Sequence, residues 1–257
     1  RYMDKSEMML LDMLANFDWN RPISFTQVYI LQDFGLLDYL QFDGYSYRFV
    51  PILTPYKDSW SIGRIDADYA YDKLMNRFRY GNLADPRVYV DEFTQYNVKV
   101  SRVREAFARV AREYIKRGDK ESLRRAEELL DRGLEVLPIN QLRFTEANTY
   151  PFIECYYDLG LNEKADKILA AFRNNLIEYI EYYMQFDGVQ GAMVENIMYD
   201  KLDVLERVYY LAAYYNREEV VREFNKYYRS LGAKDEDLIL TQQEKDSLGV
   251  QGVSTKK

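Results

Sequence analysis

Residues 156–172 read YYDLGLNEKADKILAAF, and this stretch decides the fold. Before Gly160, apolar positions fall at Tyr150, Ile153, Tyr156 and Tyr157; after it they fall at Ala165, Ile168, Leu169, Phe172, Leu176, Tyr179 and Tyr183. Both runs keep three-four spacing, which predicts a helix on each side. The glycine between them suits the left-handed turn that ends a helix. An aromatic ring four residues before it and an alanine five residues after it predict a close crossing of the two helices. The small side chain lets the second helix approach the first, and the rings fill the groove beside it.

Outward from this hairpin the arrangement recurs in weaker form. Tyr114 and Gly118 repeat the first spacing after a stripe of Val103, Phe107, Val110 and Ala111. Ala126 and Pro138 stand on the next helix with Leu123, Leu130, Leu134 and Leu137, although Gly118 to Ala126 is eight residues instead of five. A third hairpin runs from Leu202, Leu205, Val208 and Tyr209 through Asn216 to Val220, Phe224, Tyr227 and Leu231. These hairpins follow, in degenerate form, the tetratricopeptide pattern, a helix-turn-helix of ~34 residues that stacks into a solenoid. The small positions Ala126, Ala165 and Val220 lie 39 and 55 residues apart, so a non-repetitive helical bundle stays open as the alternative. Glycine and proline, 12 and 6 of 257 residues, fall well below the ~12% of average usage, which favours long helices.

Ahead of the hairpins the pattern changes. Ser6 is the expected cap of a helix through Met9, Leu10, Met13, Leu14 and Phe17, broken at Trp19-Asn20-Arg21-Pro22. Residues 23–26 alternate like a short strand, 28–40 read as a second helix, and 45–52 as another strand after the Asp43-Gly44 turn. Strand, helix and strand in ~30 residues is the length of a βαβ unit. A helix then opens at Asp66 or Asp68 and runs through Tyr71, Leu74, Met75 and Phe78, and Asp85-Pro86 reads as the start of another. The expected architecture is mainly α: a tetratricopeptide-like α-α superhelix with a small N-terminal α/β element. Its expected domains are the α/β element at 1–65, the helical domain at 66–231 and a weakly ordered polar tail at 232–257.

Composition excludes several functions. The chain has no histidine, so Ser-His-Asp and Cys-His catalysis, histidine-ligated zinc and a histidine pH switch are impossible. A single cysteine, Cys155, allows no internal disulfide or thiolate cluster and is silent on redox compartment. With 35 basic against 42 acidic residues the net charge is −7, so nucleic acid is not an expected partner. The longest apolar run, VYYLAAYY at 208–215, is far short of the ~20 residues of a membrane span, and no direct membrane insertion is expected. The chain opens RYMDKSEMMLL, without an initiator methionine or a signal-peptide pattern. A soluble piece of a longer protein is the expectation.

Three N-terminal runs carry a resemblance: DKSEMMLLDMLANFDWNRPISFT from Asp4, DYLQFDGYSYRFVPI from Asp38 and DADYAYDKLMNRFRYGNLADPRVYVDE from Asp66. In order and spacing they resemble the extramembrane C-terminal region of bacterial protein O-mannosyltransferase-like multi-pass membrane proteins, of the GT-C glycosyltransferase type. In that family a hydrophobic N-terminal domain of unknown function is followed by tetratricopeptide-like repeats. The resemblance implies a periplasmic tail, tethered to the inner membrane through its parent and partnered by the parent's own membrane domain. It further implies a non-catalytic accessory or scaffold role, binding or presenting acceptor proteins or peptides. The family's catalytic acid and lipid-linked donor site lie in the membrane domain, so no catalytic residue is carried over and no enzyme activity is expected of this chain. A stand-alone helical module for peptide or carbohydrate is the alternative.

Tyrosine is the most unusual feature: of 25 copies, nine cluster at 179–183, 209–215 and 227–228. Adjacent tyrosines on a helix cannot both face the core. Tyr179, Tyr182, Tyr183, Tyr210 and Tyr214 are therefore the candidate partner-binding surface, since sugars and peptides both stack on aromatic faces. Packing alone is the competing explanation. Asp66-Ala67-Asp68, with Asp72 a turn later, has the Asp-x-Asp form that holds a divalent cation in other glycosyltransferases. A calcium loop fails there, because Tyr71 stands where glycine is required; helix capping is the expected role, and no cofactor or metal is expected. Cys155 is expected to be a buried filler. The run Arg102, Arg104, Arg109, Arg112, Lys116 and Arg117 faces a helix bearing Glu121, Glu127, Glu128, Asp131 and Glu135, which predicts a solvated, salt-bridged face.

Overall fold

A computed structural model describes residues 3–56, 61–91, 93–94, 100–139, 142 and 145–247, with only the backbone described at 100–102, 147 and 245–247. By its contacts the chain divides into two compact units, Arg1–Arg143 and Phe144–Lys257. The fold is mainly α with a small N-terminal sheet.

In the first unit, α1 (Lys5–Ala15) starts two residues earlier than expected. Asp4, not Ser6, is the cap: its Oδ1 accepts from the Glu7 main-chain N–H at 2.8 Å, and Glu7 Oε2 accepts from the Asp4 N–H at 2.9 Å. Asp4 has Glu7 three residues later to make this reciprocal pair, whereas Ser6 has Met9. The segment 28–40 is not one helix. It forms a single turn, α2 (Tyr29–Gln32), ended at Gly35 with φ +66°, then a 3-10 turn (Leu37–Tyr39) leading into a strand. The sheet holds β1 (Ser24–Phe25), β2 (Leu40–Phe42), β3 (Tyr47–Phe49) and β4 (Arg64–Ile65) in the order β1-β3-β2-β4. β1 and β3 pair antiparallel, so the expected βαβ unit is replaced by a β2–β3 hairpin with Leu40 opposite Phe49 and Phe42 opposite Tyr47. Only β4 joins in parallel, beside β2.

α3 (Ala67–Asp72) opens at Asp66, whose Oδ1 accepts from the Tyr69 N–H at 3.2 Å, and it continues as a π-turn (Lys73–Arg77). Asp85-Pro86 opens no helix; Asp85 closes a turn on the Arg87 N–H at 3.0 Å and pairs with its guanidinium. α4 (Val100–Arg117) and α5 (Lys120–Val136) form a hairpin about Gly118, with Phe107, Val110, Ala111, Tyr114, Ala126 and Leu130 fully buried. Arg109 joins sheet to hairpin. It donates to the Ile62 main-chain oxygen at 2.8 Å and lays its guanidinium 4.0 Å from the Phe42 ring centre.

The second unit holds α6 (Glu146–Asp158), α7 (Asn162–Tyr183), α8 (Gly188–Tyr214) and α9 (Glu218–Ser230), then a 3-10 turn (Asp235–Asp237) and α10 (Gln242–Ser247). Gly160 takes φ +72° between α6 and α7, and Tyr156, Ala165 and Phe172 are buried as their spacing predicts. Asn216 takes φ +55° between α8 and α9, the left-handed role that asparagine tolerates best after glycine. Residues 188–201, around Ala192, form the first turns of α8.

Candidate functional site

Along α8, Tyr199, Leu202, Asp203, Glu206, Tyr209 and Tyr210 recur at three-four spacing and so share one side of the helix. With Tyr228 of α9 and Asp237 and Leu238 beyond it, they wall a groove of about 540 Å³. The buried Tyr209 anchors its floor. The Tyr209 hydroxyl donates to Asn225 Oδ1 and accepts from the Ile239 N–H, both at 2.6 Å. Asn225, fully buried, donates from Nδ2 to the Ile239 oxygen at 3.0 Å and to Glu244 Oε2 at 2.9 Å. Glu244 Oε2 also accepts from the Thr241 N–H at 3.0 Å and from its hydroxyl at 2.8 Å.

This network ties residues 239–244 to α8 and α9, so the weakly ordered tail expected after 231 is instead held down as far as Glu244. The polar residues that suggested disorder are those that make the clamp. Residues 248–257 lie outside the described residues.

The walls are chemically uneven. Tyr228 packs edge-on against Tyr209 at 5.3 Å between ring centres, and its buried hydroxyl finds no hydrogen-bond partner among the described residues. Such an orphan costs about 1–3 kcal/mol, which a ligand bearing an acceptor would relieve. Burial pushes the Tyr228 phenol well above its ordinary range, with the Glu206 charge adding to it, so at neutral pH the group is an unspent donor. Asp203 is paired with Arg207 at 2.5 Å, while Glu206 and Asp237 add further carboxylates. Flat ring faces, carboxylate acceptors and a free phenol donor suit a polyhydroxylated or amine-bearing ligand.

Of the five expected tyrosines, Tyr210 lines the groove. Tyr182, Tyr210 and Tyr214 are exposed, the last at 78%, while Tyr179 and Tyr183 are half-buried and stack on each other at 6.3 Å. Tyr209 turns in where Tyr210 turns out, as adjacent positions must. Tyr199 was not among the expected residues; its spacing to Leu202, Asp203 and Glu206 is the signal that marks it.

The first unit has a larger cleft, about 640 Å³, lined by Arg64, Arg109, Arg112 and Lys116. The basic run is not the solvated face expected. Arg104 and Arg109 are buried; Arg104 donates to the Leu137, Pro138 and Leu142 main-chain oxygens. Lys116 pairs with Glu113 of its own helix and Arg117 with Asp68, while Glu121 and Glu135 meet arginines on α5 itself. The side chain of Arg102 lies outside the described residues.

The Asp-x-Asp carboxylates are each spent separately. Asp66 caps α3, and Asp72 pairs with Arg77 at 2.5 Å. Asp68 meets Arg117 and Arg125, both at 3.0 Å, and accepts the Tyr114 hydroxyl at 2.9 Å. The bond from Arg117, then that from Tyr114, holds the Asp68 carboxyl below the usual carboxylate range. Among the described residues no group of three or more His, Cys, Asp or Glu is placed to hold a metal ion. Cys155 is fully buried. No helix among them is long and apolar enough to cross a membrane.

Residues 1–69 match the family described as TMEM260-associated domain 2. No curated protein and no solved structure gives a match.

Proposed function

We propose that this chain is a non-catalytic accessory domain of a membrane-embedded, protein O-mannosyltransferase-like glycosyltransferase. It stands on the periplasmic side, tethered to the inner membrane by its parent, and binds or presents acceptor protein. The observation that carries this is the match of residues 1–69 to a TMEM260-associated domain, which spans the first two runs of the resemblance and the opening of the third. The hairpins support a tetratricopeptide-like array behind it: Gly118 and Gly160 both take φ +72°, and Ala126 and Ala165 are both fully buried. Arrays of this kind offer extended binding surfaces. The tyrosine groove supports the binding role.

The non-catalytic part rests on how the acids are used. Glycoside hydrolysis usually needs two opposed carboxyl groups ~5–10 Å apart in a cleft. Asp66, Asp68 and Asp72 are taken up by a helix cap and by arginines. The purified chain should leave lipid-linked and nucleotide-linked sugars and protein acceptors unchanged by mass spectrometry. Turnover that vanished on replacing Asp66 and Asp68 by Asn would overthrow this and revive the metal site. The accessory role is tested by the reading frame upstream of Arg1: many apolar segments of ~20 residues are expected, and a short soluble leader would leave the stand-alone carbohydrate or peptide module as the better reading. The groove, with its rings and carboxylates, is what favours that second reading.

A further inference from the structure

We infer that the tip of the α7–α8 hairpin is a docking surface for a basic, amphipathic helical segment of a partner protein. Six of the nine exposed large apolar side chains among the described residues of the second unit fall between Tyr182 and Tyr199. Val189, Met193 and Ile197, four residues apart, make one stripe on α8, and the first two are 76% and 75% exposed. Tyr182 and Met184 add an exposed ring and thioether at the end of α7. Apolar surface concentrated in this way marks an interaction site, where scattered single residues would not.

The turn is built rigidly. Phe186 packs edge-on against Tyr182 at 5.2 Å, and the Phe186 carbonyl approaches α8 so closely that a Cβ at Gly191 would lie 2.9 Å from its oxygen. The stripe is thus held in place before any partner arrives. Methionine beside it adapts to differently shaped apolar side chains.

Charge selects the occupant. From Asn174 to Asp200 the chain carries Glu178, Glu181, Asp187, Glu195 and Asp200 and no lysine or arginine. All five carboxylates are exposed, and none has an ion-pair partner among the described residues. Asp200, three residues beyond Ile197, falls on the stripe's side of α8, with Glu181 and Asp187 near the turn, while the next cation, Lys201, is turned over the Tyr179 ring at 5.4 Å. An apolar stripe beside such carboxylates is complementary to a helix with apolar anchors at three-four spacing and lysine or arginine on its flanks. A second copy of this chain would bring the same negative frame against itself, and an anionic bilayer would be repelled. This names the chemistry of a partner that the accessory-domain reading leaves open, and rests on that reading for its biological role alone.

The test is fluorescence anisotropy of the full chain with a labelled leucine-lysine peptide of about five helical turns, ~18 residues. A twin peptide carries glutamate in place of lysine. The lysine peptide should bind saturably at one site and the glutamate peptide should not. Val189→Ser with Met193→Ser should weaken binding tenfold or more without changing net charge, while Met8→Ser with Met9→Ser, on the exposed side of α1, should leave it unchanged. Should the serine pair unfold the chain, Glu181→Lys with Asp200→Lys supplies the second measurement, lowering affinity for the lysine peptide and raising it for the glutamate twin. Equal binding of both peptides, or indifference to the serine pair and to the charge reversal, would overturn the inference. So would a dimer in sedimentation, or flotation with phosphatidylglycerol vesicles, that the serine pair abolishes. Sugar transfer by the chain, or a parent without membrane segments, would end the accessory-domain reading without moving any of these results.

Discussion

Arg104 donates from Nε to the Leu137 main-chain oxygen at 3.1 Å, deep inside the α4–α5 hairpin. Its Nη2 reaches the Pro138 oxygen at 3.1 Å and the Leu142 oxygen at 3.3 Å. Leu137 closes α5, where the last carbonyls of a helix have no partner within it and carry the negative end of its dipole, so a guanidinium fork fits there. Burial pulls the Arg104 pKa down to about 10, which leaves it charged at neutral pH.

Arg104→Leu should strand the Leu137 and Leu142 oxygens at about 1–3 kcal/mol apiece, with a total loss of ~3 kcal/mol or more, while the Pro138 oxygen keeps the Leu142 N–H at 3.0 Å. Arg104→Lys keeps the charge but not the fork, and should fall between. Urea midpoints at constant slope would measure both. A leucine variant as stable as the parent would show that the carbonyls are satisfied otherwise.

Ala165→Phe should overpack the α6–α7 crossing and cost ~1–3 kcal/mol or more, because Ala165 is fully buried. Ala192→Phe, on an exposed side of α8, should stay within ~0.5 kcal/mol. The comparison is a pair of thermal melts, and equal midpoints would contradict the crossing.

Tyr209→Phe removes one hydroxyl and with it two bonds, to Asn225 and from the Ile239 N–H. The expected loss is about 1–3 kcal/mol, concentrated where the chain returns over α8. Amide exchange at Ile239 and limited proteolysis of 235–247 should both accelerate, while the α4–α5 hairpin stays protected. Uniform acceleration would mean the hydroxyl supports the whole fold and not this clamp.

Alkaline pH should unfold the protein. Burial first, and then the bond to Glu128, push Tyr71 up to about 12; burial does the same for Tyr80. Their folded values exceed the ~10 of an unfolded tyrosine. Their contribution is complete below pH ~10 and is lost as pH rises toward about 12, because the unfolded chain sheds protons the folded one keeps. Tyr45, Tyr157, Tyr215 and Tyr228 are raised further, also by burial first. Arg104 acts in the opposite sense, gaining stability above about 10, but it is one residue against several. Tyrosinate absorbance should therefore rise in two stages, the second coinciding with loss of far-ultraviolet ellipticity. A single stage completed in the folded state would contradict the burial.

The sequence by itself determined the hairpins. Helical periodicity, a glycine at the turn and alanine at the crossing act within a few residues of one another, so Tyr156, Gly160, Ala165 and Phe172 could be placed from spacing alone. A cap at Asp66 or Asp68 and the inside-outside split of Tyr209 and Tyr210 were legible for the same reason. Only the tertiary structure decided the sheet, since strands of two or three residues carry almost no alternating signal and β1 finds β3 across more than twenty residues. It also decided which charges go inside, because Arg104 and Arg109 are drawn in by carbonyls that lack donors, a need no local pattern reveals. The groove arises likewise: Asn225, Ile239 and Glu244 are distant from Tyr209 in sequence, and what joins them is the obligation of buried polar groups to find partners.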